Sequence, residues 1–356
     1  MARMKLTVAT TIVLLVAATS PGAVPPGGPA PPKGGETIAP VVDGHNHEVL
    51  AAGGGTIDTS KVVGLRARGL GVVIVGLPVD RQRPANVEVR VREELTSLRR
   101  MSANAPGFTV ANDPAALLAG IPPDRLQLLF SIEWFDGIFG GDPTSVRRYR
   151  DLGVRVIGLS EKDSDGLFGR GDLAATLTPF GTQVVAAMNE AGVLIDITHL
   201  SHAQKLAVIA RSRAPVVASH SLVQAVTPEE FNLPDEVVAA LARSGGSVWV
   251  SFNRSDLLAG APDDEALDRL VRHIEVLVQQ LGENCVGIGT DLQAGGRYVP
   301  APLNRDDAFA VIARRLRERG LSQAAVDGVL GRNVLRALAA ATSAGDPPTP
   351  AGGPTS

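Results

Sequence analysis

The sequence predicts a single-domain, TIM-type (β/α)8 barrel, and three observations carry that prediction. Eight short apolar runs recur along the chain, helical patterns separate them, and polar, metal-capable residues follow most of them. The runs lie at 39–43, 72–77, 126–132, 154–159, 193–198, 215–219, 247–252 and 286–290. Their β-branched content and near-continuous apolarity suit parallel strands covered on both faces. The clearest helix precedes the fifth run. Thr178 caps it, Pro179 takes the first helical position, Val184, Val185 and Met188 form one apolar face, and Gly192 stops it. Asp58 or Ser60 starts a helix ending near Gly69, and 263–282 reads as a longer one with Leu267, Leu270, Val271 and Ile274 inward. An open doubly wound sheet would share this rhythm. The barrel is preferred because His45 and His47 follow the first run, Glu133 the third, Glu161 the fourth, His199 the fifth, His220 the sixth, Asn253 the seventh and Asp291 the eighth. In a closed barrel the C-terminal strand ends converge on one face, so residues scattered over about 250 positions meet in one pocket.

Bulk composition narrows the function. The chain has 356 residues, 44% of them hydrophobic, which suffices for one large core. A formal charge of -3 and a pI near 6.1 leave no electrostatic footprint for nucleic acid or an anionic membrane surface. The single cysteine, Cys285, excludes a disulfide framework and a thiolate-rich zinc site, so any metal depends on His, Asp and Glu. At the N-terminus Arg3 and Lys5 precede an apolar run at 6–18, followed by small residues, which reads as an export signal or uncleaved anchor over 1–22. A Pro/Gly-rich linker at 23–38 follows, then the barrel at 39–343 and a tail at 344–356 of linker-like composition. The expected location is secreted, periplasmic or in the cell envelope, with a membrane tether through the N-terminus and a homodimer as open partner relations.

Each candidate ligand also has an ordinary reading. His45 and His47 alternate on a strand end, so one would point away unless the backbone bends, as Gly44 permits. Glu133 is either a loop carboxylate or a bridge whose charge lets two cations sit close together. His199 and His220 are either core histidines satisfied by backbone or ligands in equivalent places. Asp291 either caps a loop or binds a cation and shuttles the proton of an attacking water. His202 and His273 fall on helices and receive no chemistry.

These residues carry a family resemblance. VVDGHNHE at 41–48, DTSKVVGLRARGLGVVIVG at 58–76, SIEW at 131–134, LTPFGTQVVAAMNEAGVLIDITHLS at 177–201, ASHS at 218–221, NLPDE at 232–236, GIGTDL at 287–292 and GRNVLRAL at 331–338 resemble the membrane (renal) dipeptidase family, peptidase family M19 of the amidohydrolase-like barrels. The resemblance implies two Zn2+ per chain and hydrolysis of dipeptides. It puts His45 and Asp291 at the first zinc, Glu133 across both, and His199 with His220 at the second, with Asp43 and Asp196 orienting ligands or backbone.

Three positions depart from the family pattern. His47 stands where the family has Asp, which makes the site one charge more positive. Glu161 replaces a His that contacts the substrate carbonyl, and an ionised carboxylate donates no hydrogen bond. Phe231 replaces the Arg that holds the substrate's terminal carboxylate, an ion pair phenylalanine cannot make. Arg254 and Arg297, after the seventh and eighth runs, are candidate substitutes, as is Asn253 for other substrate contacts; all are equally readable as loop residues. The expected activity is metal-dependent cleavage of a dipeptide or related small amide with altered recognition. The alternatives are a lactone or cyclic-amide hydrolase of the same barrel type, and an inactive relative that binds a ligand or protein.

Overall fold

Among the described residues nine strands form, and eight of them overlap the apolar runs: β1 (Val41–Asn46), β2 (Leu70–Leu77), β3 (Phe108–Val110), β4 (Leu126–Ile132), β5 (Val154–Ser160), β6 (Leu194–His199), β7 (Val216–Ala218), β8 (Ser247–Val250) and β9 (Val286–Ile288). The structure is a computed structural model that describes residues 39–50, 57–77, 87–104, 107–133, 137–160, 166–293, 296 and 298–345. The expected export segment, the linker, residues 346–356, Glu161 and Arg297 therefore lie outside the described residues. Neighbouring strands run in the order β1-β2-β4-β5-β6-β7-β8-β9, all parallel, as a (β/α)8 barrel requires. The sequence reading missed β3, which pairs outside this path with the start of β4. Three residues carry too little alternation to mark a strand, and their ladder comes from the neighbour.

Among the described residues twelve helices accompany the sheet: α1 (Thr59–Ala67), α2 (Val87–Asn104), α3 (Pro114–Ala119), α4 (Ser145–Leu152), α5 (Pro179–Ala191), α6 (His202–Arg211), α7 (Asp235–Ser244), α8 (Arg254–Leu258), α9 (Ala266–Leu281), α10 (Ala308–Glu318), α11 (Gln323–Asp327) and α12 (Asn333–Gly345). The start of α5 follows its sequence signals: Thr178 Oγ1 accepts from Gly181 N and Gly192 closes the helix in the left-handed conformation. The cap of α1 is Asp58, which accepts from Ser60 N. The last helix runs through Gly345, two residues beyond the expected barrel boundary.

Side chains alternate along the strands. Val72 and Ile74 of β2 point into the barrel with Val42, Leu129, Leu194, Val217 and Trp249, whereas Val73, Val75 and Leu77 belong to the outer core beneath the helices. The inner cluster extends to Leu117 of α3 and to Val334, Leu335, Leu338 and Ala341 of α12, so these two helices close one end. Gly44 lies within the register irregularity between Asp43 and Asn46, where the bend is expected. It also lets the strand pass close to Trp249, because a side chain there would strike the ring.

The barrel closes between β9 and β1. His47 N donates to Leu292 O (2.8 Å), Asp291 N donates to His45 O (3.0 Å), and Asn46 pairs with Leu292. The fully buried Asp43 carboxylate reinforces this seam by accepting from Thr290 N (2.9 Å), Thr290 Oγ1 (2.6 Å) and Asn46 Nδ2 (2.9 Å).

Candidate metal centre

Among the described residues six side chains meet at the mouth of the barrel: His45 of β1 and His47 just after it, Glu133 after β4, His199 ending β6, His220 after β7 and Asp291 after β9. The Glu133 carboxylate lies among four imidazoles. Its Oε2 is 2.9 Å from His45 Nε2 and 3.0 Å from His47 Nε2; its Oε1 is 2.6 Å from His199 Nε2 and 3.4 Å from His220 Nε2. Within each pair the Nε2 atoms stand 3.0 Å apart. Asp291 Oδ1 lies 3.8 Å from His47 Nε2, and Asp291 also groups with His45 and His220 as a third potential ligand set.

Hydrogen bonds behind the rings determine which nitrogen faces inward. Carbonyl oxygens only accept, so the 3.0 Å contact from His47 Nδ1 to Gly76 O puts a proton on Nδ1 and turns Nε2 toward Glu133. Gly76 makes this possible, because a Cβ there would collide with the His47 ring. On the other side of the pocket, Ser219 Oγ lies 2.9 Å from His220 Nδ1 and 3.4 Å from His45 Nδ1, and donates to Asp196 Oδ2 at 2.6 Å. Asp291 has a left-handed backbone, φ 56°, which short polar side chains tolerate better than most. Such a conformation costs about 1–3 kcal/mol and is typical of functional positions.

The electrostatics call for positive charge at the centre. Burial pushes the His45 imidazole down, but the adjacent Glu133 carboxylate, helped by Asp291 and Asp196, overrides it and raises the group to about 9. Burial would raise Glu133, yet the His45 charge and hydrogen bonds from His199, His45 and His47 hold it well below the usual carboxylate range. His220 is kept well below the ordinary imidazole range by burial and by the charge on His45. A donor set of four imidazoles and two carboxylates, without thiolate, fits borderline divalent ions such as zinc.

The remaining candidates are arranged less simply. Asn253 caps α8 and donates from Nδ2 to Asp291 Oδ2 at 3.4 Å, so it positions a carboxylate. With Arg254, Ser255, Gly260, Ala261 and Tyr298 it lines a cavity of about 350 Å³. Arg254 is not a free anion-binding fork: both terminal nitrogens engage Asp263, with Nη2 to Oδ2 at 2.9 Å. Phe231 is 68% exposed, beside the buried Asn232, whose amide donates to Thr227 O and Asp256 O. His273, left without chemistry on sequence grounds, is buried and accepts from Val223 N at 3.2 Å, which ties the segment after His220 to α9. Sequence reasoning missed Ser219, Thr290 and Gly76. The first two directly precede the ligand candidates His220 and Asp291, a signal that was available; Gly76 was not legible, because its partner is 29 residues away.

Known proteins resemble this chain in sequence and in fold. Dipeptidase aclJ of Aspergillus oryzae is 30% identical over 256 residues, 69% of this chain and 60% of that protein. Dipeptidase verJ of Clonostachys rogersoniana is 31% identical over 219 residues, 60% of this chain and 55% of that protein. The chain thus spans little more than half the length of these curated relatives. A metallo peptidase from Rhodobacter sphaeroides, solved with a phosphinate mimic of the dipeptide L-Ala-D-Ala, shares the fold with a TM-score of 0.70 at 21% identity, over 85% of this chain and 99% of that one. The profile of the membrane dipeptidase family, peptidase family M19, matches residues 36–348, and the chain belongs to that family.

Proposed function

We propose that this chain is an exported hydrolase that cleaves a dipeptide or related small amide with two zinc ions held by His45, His47, Glu133, His199, His220 and Asp291. The observation that carries this reading is the division of Glu133: one oxygen at 2.9 and 3.0 Å from one imidazole pair, the other at 2.6 and 3.4 Å from the second. Divalent cations bound there would supply Lewis acidity toward the scissile carbonyl and the attacking water. Glu133 would keep the two ligand pairs together by neutralising charge between them. Asp291, steadied at Oδ2 by Asn253, would take the water's proton on its carboxylate and return it to the leaving nitrogen, so amide and water become acid and amine. The similarity to the dipeptidases aclJ and verJ, and the dipeptide mimic bound by the Rhodobacter sphaeroides peptidase, support a dipeptide-sized substrate.

Recognition of the far end of the substrate would differ from that of a peptidase that grips a free carboxylate. Phe231 offers no charge, and Arg254 is engaged by Asp263. A substrate with an apolar or blocked C-terminal side fits these residues better than a free acid. Export rests on the basic start and apolar run within residues 1–22. No helix among the described residues is long and apolar enough to cross a membrane.

Elemental analysis of protein purified without added metal, followed by kcat/KM for a dipeptide, its C-terminal amide and a lactone, tests the reading. Close to two ions per chain and preference for the amide are expected. Absence of metal with no uptake on zinc titration would overturn the site; turnover of the lactone alone would overturn the substrate class.

A further inference from the structure

Ser219 sits where the two halves of the pocket meet. Its hydroxyl has one proton and two lone pairs. The Asp196 carboxylate, 2.6 Å away at Oδ2, only accepts, so the proton goes there. Both lone pairs then face imidazole nitrogens, His220 Nδ1 at 2.9 Å and His45 Nδ1 at 3.4 Å. Both rings must therefore donate from Nδ1 and present Nε2 to the pocket. His45 belongs to the pair on Glu133 Oε2 and His220 to the pair on Oε1. The two rings lie side by side with centroids 4.0 Å apart. Asp196 is fixed in turn, because its Oδ1 accepts from Thr198 N (3.0 Å), Thr198 Oγ1 (2.7 Å) and Ser219 N (3.1 Å).

We propose that Ser219 is a positioning residue shared by both ligand sets, its hydroxyl holding one histidine of each in the metal-binding orientation and so coupling the affinities of the two cation positions. The inference rests on the reading of this pocket as a two-cation site. It makes a specific claim about Asp196→Asn. Two of the three donors to Oδ1 are backbone N–H groups, which need an oxygen there, so the new amide nitrogen must take the Oδ2 position and donate to Ser219. The hydroxyl proton then turns toward one imidazole Nδ1, whose ring must carry its own proton on Nε2 and cannot ligate.

The test is zinc titration of the full chain against a competing chelator, with the cobalt-substituted absorption spectrum as a report on ligand geometry. Ser219→Ala should weaken both zinc affinities together, by about 10–100-fold each, the usual effect of removing a partner behind a ligand. Ser219→Thr should restore them and the cobalt spectrum. Asp196→Asn should lose one cation while the fold persists. Wild-type protein that binds no zinc would refute the two-cation reading itself. Wild-type protein with two ions, alongside Ser219→Ala with unchanged affinities or one affinity altered alone, would refute the coupling. Should Ser219→Ala fail to fold, Asp196→Asn decides: retention of both ions overturns the proposal.

Discussion

His273 makes the segment that carries His220 and Phe231 sensitive to acid. The ring is fully buried on α9, with Nδ1 accepting from Val223 N at 3.2 Å and Nε2 lying 3.2 Å from Thr227 Oγ1. Thr227 spends its own proton on Leu257 O at 3.0 Å, so His273 Nε2–H must be the donor to Thr227. A second proton would have to enter at Nδ1 and break the bond from Val223. Burial, with a smaller contribution from Arg269, accordingly lowers the group from 6.5 to about 3. The unfolded chain thus binds this proton more readily than the folded one. The stability contributed by neutral His273 is fully present above about pH 6.5 and is lost progressively as pH falls toward about 3. With 1.36 kcal/mol per unit, the loss is about 2 kcal/mol at pH 5 and approaches about 5 kcal/mol at the acid limit. The assay is urea unfolding of chelator-treated wild type and His273→Gln at pH 7 and pH 5. Glutamine offers an acceptor and a donor but does not titrate, so wild type should lose about 2 kcal/mol more than the variant. Equal losses in both proteins would refute the reasoning.

Other variants probe the pocket directly. Glu133→Gln preserves shape but removes the negative charge between the imidazole pairs; it should lose at least one ion by elemental analysis and most activity, while far-UV circular dichroism stays unchanged. Gly76→Ala places a methyl group against the His47 ring; the expected result is a drop from two ions to one, and retention of both would remove His47 from the ligand set. Phe231→Arg should lower KM for free dipeptides relative to their amides. Because the position is 68% exposed, an ion pair there is worth about 1 kcal/mol at most, about fivefold in KM rather than the thousandfold of a desolvated pair. A KM ratio that does not move would place Phe231 outside substrate recognition.

The barrel was legible because its signals are local. Largely apolar runs such as 126–132 and 154–159, buried along almost their whole length, read as strands covered on both faces, and even the three-residue strands β7 and β9 were marked by the polar residues that follow them. The ligand candidates were legible for the same reason, since strand ends in a barrel share one face. What stayed hidden depends on partners without a sequence signature. The Gly76 carbonyl that orients His47 would be a carbonyl whatever residue stood there, and only the absent side chain distinguishes it. Arg254 reads in sequence as an available cation, and nothing short of the folded turn reveals Asp263 closing on it.

The seam of the barrel and the pocket are built from the same atoms, and this links folding to metal binding. Asp43 ties β1 to Thr290, His45 O receives Asp291 N, and Leu292 O receives His47 N. Three of the six candidate ligands therefore take their places only when the first and last strands of the barrel have met. A cation held by His45, His47 and Asp291 would bind the closed barrel and not the open chain, and would stabilise it in proportion to the logarithm of its concentration. Burial pushes the Asp43 carboxyl upward while the Thr290 and Asn46 donors pull it down. Its hydrogen bonds hold the seam whether or not an ion is present, leaving the left-handed Asp291 backbone as the strained element that metal binding would compensate.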